Sequence, residues 1–180
     1  MNSFMVNLAG KIKETGFSCR SCGACCREEE PDGNLVMVTP PEIHAIEQGA
    51  GVPLGEIAEP YPGIIAGPDG TRYTFEWALK RDGNRCRFLS GTKCQVYPCR
   101  PWICRTYPFC LDGDRLEVHP CPGIGAPIGE AESLAIARAL LARRDAEKAE
   151  DAAIANILAA RDIPPGYFVV IDSEGIRPWP

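Results

Sequence analysis

Apolar and polar positions in the N-terminal part of the chain predict two short helices. In the first fifteen residues, apolar side chains recur at a spacing close to that of a helix, at Phe4, Val6, Leu8 and Ile12. We expect this helix to end before Gly16 and to cover the following cysteine-rich segment as a lid. A capping box, Thr39-Pro40-Pro41-Glu42, then predicts a second helix that runs from Pro40 to about Gln48 and ends at Gly49.

Around this second helix, the pattern predicts loops and short elements. Residues 28–33 are acidic and end in turn formers, which predicts an exposed loop, and residues 35–38 predict a short strand. Residues 52–59 predict one more brief helix. Between residues 71 and 80 apolar residues take every second position, so we expect one half-buried strand with an aromatic face.

Tight turns predict hairpins in the second half of the chain. The turn formers lie at residues 82–84, 90–93 and 112–114. The first two turns flank Cys86 and precede Cys94, and a tight hairpin there would bring these two thiols together. Pro101 predicts the start of a helix of one or two turns.

The C-terminal part of the chain predicts a long helical segment. Residues 129–161 are rich in Ala, Glu, Arg and Leu, which predicts one long helix or two helices with a bend near residues 144–148. Residues 167–171 predict a terminal strand. Since no internal repeat or low-complexity linker is evident, we expect a single domain over residues 1–180.

Composition and charge exclude several classes of protein. With 180 residues and 45% hydrophobic residues, the chain can bury a substantial core in one domain. The net charge of −5 argues against the basic surface that nucleic-acid binding needs. The N-terminus lacks a basic start, a long apolar run and a small-residue cleavage site, so we expect neither a signal peptide nor a membrane partner. These features favour a cytoplasmic, reducing location, where clustered cysteines are more often ligands than disulfides.

Cysteines dominate the candidate chemistry. Four of the ten fall within eight residues, and four of the six downstream cysteines complete the candidate set: Cys19, Cys22, Cys25, Cys26, Cys86, Cys94, Cys104 and Cys121. Thiolates that converge around a tight turn are what zinc and iron–sulfur centres require. The neighbours Cys25 and Cys26 project in different directions, which suggests two centres or one polynuclear centre. A disulfide framework is the alternative, but CxxC spacing and an adjacent pair suit structural disulfides poorly.

Several other residues lie close to these cysteines in the sequence. Arginines occur within a few residues of a cysteine at Arg20, Arg27, Arg85, Arg87, Arg100 and Arg105. They either offset the negative charge of a thiolate-bound metal or simply solvate the surface. We interpret Cys99 and Cys110 as small buried hydrophobic residues and His44 as a surface or core residue. His119 is close enough to Cys121 in the sequence to substitute as a ligand.

The order and spacing of the motifs resemble a known family. The chain contains Cys19-x2-Cys22-x2-Cys25-Cys26, then Cys86-x-Phe88-Leu89, Cys94-x-Val96-Tyr97, Arg100-Pro101-x2-Cys104-Arg105-x-Tyr107-Pro108-Phe109 and Cys121-x-Gly123-Ile124-Gly125. Over residues 17–125 this pattern resembles the YkgJ-type CxxCxxCC cysteine-cluster family, a zinc- or iron-chelating domain that also occurs in flagellin lysine N-methylases. The resemblance implies metal ligation by the eight cysteines named above and leaves Cys99 and Cys110 outside the ligand set.

Together these observations predict an α+β fold. We expect a small single domain in which short hairpins and helices are organised around a cysteine-ligated metal centre, with a core at residues 17–125, a helical extension at 129–163 and a strand and tail at 164–180. We favour an iron–sulfur cluster with a redox or structural role. The alternatives are a structural zinc module and a cluster-dependent protein-lysine methyltransferase, so catalysis stays open. The expected partners are metal ions, with a protein partner or protein substrate left open.

Overall fold

A computed structural model of the chain confirms the α+β class. It describes residues 3–27, 35–67, 70–160, 163 and 165–179, so the predicted loop at 28–33 lies outside the described residues. The described part contains five α-helices, namely α1 (Ser3–Thr15), α2 (Pro40–Ala50), α3 (Leu54–Ile57), α4 (Trp102–Thr106) and α5 (Glu130–Ala160). None of these helices is both long and apolar enough to cross a membrane.

The strands are short and form two sheets and three separate hairpins. In chain order they are β1 (Met37–Val38), β2 (Ala58–Pro60), β3 (Ile65–Ala66), β4 (Arg72–Thr74), β5 (Trp77–Leu79), β6 (Arg81–Asp82), β7 (Arg85–Cys86), β8 (Leu89–Ser90), β9 (Lys93–Cys94), β10 (Phe109–Asp112), β11 (Arg115–Val118), β12 (Phe168–Asp172) and β13 (Gly175–Pro178). One sheet has the order β1-β5-β2 and the other the order β13-β12-β4-β3, with β4 and β12 parallel. The hairpins are β6–β7, β8–β9 and β10–β11.

The capping box of α2 forms as the sequence predicts. The carboxylate of Glu42 accepts the backbone N–H of Thr39 at 2.8 Å, which satisfies a donor that the first turn of the helix leaves free. The helix runs to Ala50, beyond the predicted Gln48, because its left-handed C-cap is Gly51 (φ 69°) and not Gly49.

The prediction of one strand between residues 71 and 80 is wrong. The chain forms β4 and β5 there, and these two strands belong to different sheets. Three consecutive residues of β5, Trp77, Ala78 and Leu79, are all buried, because β5 is the middle strand between β1 and β2. The alternating pattern therefore spans a break between two strands, of which only β5 is buried throughout, and does not mark one half-buried strand.

Helix α1 packs along α5 and is not a lid over the cysteine-rich segment. Its buried residues Leu8, Ala9 and Ile12 form one core cluster with Phe109 of β10 and with Ala137 and Leu140 of α5. The sequence allowed either one long helix or two helices with a bend near residues 144–148. The structure has one continuous helix, α5, through these residues. The periodicity of α1 identified a helix, but its packing partner lies more than a hundred residues away in the sequence.

A second core cluster lies under the cysteine-bearing hairpins. It joins Ile43 and Ile46 of α2, Trp77 and Leu79 of β5, and Phe88 and Val96, each two residues after the end of a small hairpin. Cys86, Cys94 and Cys99 are partly buried against this cluster. The positions of these thiols are therefore supported by the hydrophobic core.

Candidate metal centre

The four-cysteine segment is attached at its N-terminal end to the segment that carries Cys121. Phe17 and Ile124 form an isolated β-bridge, and the N–H of Ser18 donates to the carbonyl of Gly123 at 3.0 Å. A Cβ at Gly123 would lie 2.2 Å from the Ser18 oxygen, so this close approach requires glycine. These contacts bring Cys19 and Cys121 to the same side of the molecule.

The C-terminal end of the four-cysteine segment is attached to the hairpins β6–β7 and β8–β9. Arg27 forms a β-bridge with Arg85, and its guanidinium donates to the carbonyl of Gly91 at 2.5 Å. Gly23 adopts a left-handed conformation (φ 71°), and a Cβ there would lie 3.3 Å from the Cα of Thr92. Cys25 and Cys26 follow in a 3-10 turn at Ala24–Cys26, directly beside the hairpins.

The hairpins β6–β7 and β8–β9 are two copies of one unit. In each, a left-handed glycine (Gly83, Gly91) precedes the cysteine by three residues, and the cysteine ends the second strand. Each sulfur then accepts the backbone N–H of the residue two positions later, which is Phe88 for Cys86 and Val96 for Cys94. The two hairpins share the local sequence pattern Gly-x-Arg/Lys-Cys-x-Phe/Val, at residues 83–88 and 91–96.

Cys104 reaches the site on α4. This helix begins at Trp102, directly after Pro101 as the sequence predicts, and it packs against α5. The N–H of Trp102 donates to the carboxylate of Glu42 at 2.7 Å, so a side chain of α2 caps α4. The position of Cys104 is therefore set by two other helices.

All eight cysteines predicted as ligands line one cavity of about 490 Å³. They are Cys19, Cys22, Cys25, Cys26, Cys86, Cys94, Cys104 and Cys121. Cys25, Cys26, Cys86 and Cys104 also line a small adjoining pocket of about 20 Å³. As placed, no three acidic, imidazole or thiol side chains in the described ranges are arranged to hold a single ion. The structure thus shows a cavity walled by thiols, a donor set that suits zinc and iron–sulfur centres.

The buried thiols of this cavity resist ionisation. Burial raises the pKa of Cys86 and of Cys94, and it raises the pKa of Cys104 to about 12. The sulfurs of Cys25 and Cys26 lie 3.9 Å apart. Their shared hydrogen bond lowers the pKa of Cys25 to about 6 and raises the pKa of Cys26. A bound cation favours thiolate over thiol, so metal uptake here would release protons.

Basic side chains lie at the cavity wall. Arg20, Lys93, Arg100 and Arg105 line it. Arg100 stacks on the ring of Tyr97, 3.7 Å from the ring centroid, and donates to the carbonyl of Tyr97 at 2.8 Å. Its charge favours the thiolate forms of Cys25, Cys94 and Cys104. Arg87, in contrast, forms an ion pair with Glu56. Arg20, Arg100 and Arg105 are therefore cavity residues, whereas Arg87 belongs to a surface ion pair.

The two remaining cysteines and both histidines lie away from the cavity wall. Cys99 packs under α2, where a Cβ at Gly49 would lie 2.6 Å from its sulfur. Cys110 is half-buried, with its sulfur 3.3 Å from the Nε2 of His119, so it is not simply a buried hydrophobic residue. His119 is exposed and contacts Cys110, not the cavity. His44 lies on the surface, where its ring contacts the carboxylates of Glu47 and Glu174.

Comparisons with known proteins identify similarity over part of the chain. The protein MJ0661 of Methanocaldococcus jannaschii is 30% identical over 95 residues, which are 52% of this chain and 44% of that protein. The chain thus spans less than half the length of this curated relative. No solved structure matches the chain. Residues 18–122 match the CxxCxxCC family, described as "Putative zinc- or iron-chelating domain". Since that match covers more than half of the 180 residues and includes every cysteine that lines the cavity, the chain is a member of the CxxCxxCC family of metal-chelating domains.

Proposed function

We propose that this protein holds an iron–sulfur cluster through the eight cysteines of the cavity and uses it in a redox or structural role. The observation that carries the proposal is the grouping of all eight thiols around one space of about 490 Å³. A cavity of roughly 10–15 Å³ already admits a water molecule, so this space is large enough for a polynuclear centre. The family membership supports metal binding, and the choice of iron is our own inference.

Backbone donors support thiolate ligands at three of these positions. The N–H of Gly123 donates to the sulfur of Cys121 at 3.4 Å, and Cys86 and Cys94 accept equivalent bonds from residues two positions later. Hydrogen bonds to sulfur stabilise the anionic form and raise the reduction potential of a bound cluster. A cluster bound here would supply one-electron transfer. The chain itself would supply the ligands, the N–H donors and the positive charge of Arg100.

Anaerobic purification followed by iron, zinc and acid-labile sulfide analysis tests the proposal. We expect brown protein that contains iron and sulfide, with broad visible absorption that dithionite bleaches. The Cys104→Ser variant should lose most of this absorption. The matched control is Cys99→Ser, which alters a cysteine five positions earlier that does not line the cavity. Stoichiometric zinc without iron or sulfide, after growth with iron supplied, would contradict the proposal.

A pair of zinc sites is the second candidate. It is favoured by the small pocket that Cys25, Cys26, Cys86 and Cys104 line, because four thiolates complete one tetrahedral zinc site. The sulfurs of Cys25 and Cys26 lie 3.9 Å apart, so these two neighbours do not point apart as their adjacency in the sequence suggests. Cys19, Cys22, Cys94 and Cys121 would then supply the second site. In that case the purified protein is colourless and contains two zinc ions per chain. Substitution of Cys86 would remove one zinc ion and leave the other.

We also place the protein in a reducing, cytoplasmic compartment. All ten cysteines are free thiols in the structure, which is the state that metal ligation requires. Labelling of intact cells with a membrane-impermeant thiol reagent, followed by lysis and mass spectrometry, tests the location. A labelled protein would contradict it.

A further inference from the structure

The β10–β11 hairpin has one apolar face and one polar face. Phe109, Leu111 and Leu116 belong to the core cluster formed with α1 and α5. On the other face, Cys110 and Glu117 are direct cross-strand partners. The N–H of His119 donates to the carbonyl of Pro108 at 2.8 Å and so continues the ladder beyond the strand. Side chains alternate along a strand, so residues two positions apart share a face. His119 therefore lies on the same face as Glu117.

Two of these side chains already have the spacing of metal ligands. The sulfur of Cys110 lies 3.3 Å from Nε2 of His119. With Zn–S near 2.3 Å and Zn–N near 2.05 Å, two ligands of one tetrahedral zinc ion lie about 3.5 Å apart. The ring of Tyr107 lies parallel to the imidazole, at an interplanar angle of 10° with the ring centroids 6.3 Å apart, and its hydroxyl donates to the carbonyl of Pro120. The pair is therefore held close to ligand geometry before any ion binds.

A third donor and solvent access are also present. The Glu117 side chain is 39% exposed, and its carboxylate pairs with Arg115 in the structure. Rotation of the carboxylate from this exposed ion pair towards Cys110 costs little, since such pairs contribute about 0–1 kcal/mol. His119 is exposed, so an ion reaches the pair directly from solvent. Asp112 and Glu147 add negative charge near Cys110, and Arg143 opposes them.

We propose that Cys110, Glu117 and His119 form a second metal site, exposed to solvent and suited to Zn²⁺. Mixed sulfur, nitrogen and oxygen ligands are a set that zinc accepts, with water in the remaining position. None of the three residues lines the cysteine cavity. The ligands of this site are therefore distinct from the eight cysteines of the cavity.

Alkylation of Cys110 in the presence of Zn²⁺ tests this site directly. Trypsin releases Cys110 as the single cysteine of residues 106–115, because Arg105 and Arg115 flank it. The protein is used with the metal it carries on purification, and iodoacetamide labelling of this peptide is followed by mass spectrometry at increasing Zn²⁺. We expect Zn²⁺ to slow labelling about tenfold or more, since a metal-bound thiolate is protected from the reagent.

The two histidines of the chain provide matched variants. His119→Gln should abolish the protection by Zn²⁺ and Glu117→Gln should weaken it, whereas His44→Gln on α2 should retain it. Circular dichroism checks that each variant is folded. Labelling of Cys110 that is insensitive to Zn²⁺ in the unaltered protein, or equal protection in His119→Gln and His44→Gln, would overturn the proposal.

Discussion

The carboxylate of Glu42 accepts the backbone N–H of Trp102 at 2.7 Å, across sixty residues of sequence. Its other oxygen accepts the N–H and the hydroxyl of Thr39, each at 2.8 Å. One side chain therefore caps both α2 and α4. Since α4 carries Cys104, the capping of α2 is linked to the position of a thiol in the cavity wall.

Glu42→Ala should destabilise the protein and loosen Cys104. The substitution removes acceptors for three donors, and lost caps or buried hydrogen bonds cost about 1–2 kcal/mol each. Chemical denaturation of the metal-loaded protein measures the loss of unfolding free energy. Glu42→Gln should recover part of this free energy, because the amide oxygen still accepts a hydrogen bond. The exposed Glu59 of β2 serves as control, and Glu59→Ala should change stability little. Equal stability of the two alanine variants would contradict the capping role.

Substitution of cavity cysteines should lower metal content and thermal stability together. Cys25→Ser and Cys104→Ser each remove a thiol from the cavity, and metal-binding energy contributes to folding energy. Metal analysis and calorimetry measure the two effects. Cys99→Ala should keep the metal-to-protein ratio of the unaltered chain. A Cys25 or Cys104 variant with full metal and an unchanged Tm would show that the residue is not a ligand.

Gly123→Ala should separate the segments that carry Cys19 and Cys121. The added methyl would lie 2.2 Å from the Ser18 carbonyl oxygen, so the two backbones must move apart. We expect a loss of roughly 1–3 kcal/mol of stability, as for other overpacked sites, together with reduced metal content. The control is Gly10→Ala in α1, where nothing lies within 4 Å. That substitution should stabilise the protein by about 0.5–1 kcal/mol, and a similar result at Gly123 would contradict the close approach.

The pKa of His44 should lie above its ordinary value. Its ring bonds to the carboxylates of Glu47 and Glu174, which favour the protonated form. Because the folded-state pKa is raised, the stabilisation is complete below the unfolded pKa of about 6.5 and is lost as the pH rises through the folded pKa. NMR titration of the ring protons measures the shift. Glu174→Gln should lower the pKa, and a His44 pKa that is unaffected by this change would refute the link between α2 and the β12–β13 turn.

Some predictions follow from short stretches of sequence and hold in the structure. The capping box at Thr39–Glu42, the helix after Pro101 and the hairpin around residues 112–114 each depend on residues within a few positions of one another. The capping box and the hairpin close their hydrogen bonds locally, and Pro101 sets the start of α4 even though its N-terminal N–H is capped by the remote Glu42. The order and spacing of the cysteines likewise identified the family. The metal, the full ligand set and the single-domain organisation stay predictions.

Other features were decided by contacts between remote segments. The alternating pattern at residues 71–80 was compatible with one strand, but pairing with β1, β2 and β12 divided it between two sheets. The partner of α1 is α5, and apolar periodicity does not specify which apolar surface a helix covers.

The grouping of the cysteines shows the same division between local and tertiary information. The cysteine pattern of the sequence, through its resemblance to the CxxCxxCC family, implied the eight candidate ligands. Their arrangement around one cavity required the bridges Phe17–Ile124 and Arg27–Arg85. The pairing of Cys110 with His119 arose from hairpin register. Local chemistry selects donors and turns, whereas packing between distant segments decides which donors face one another.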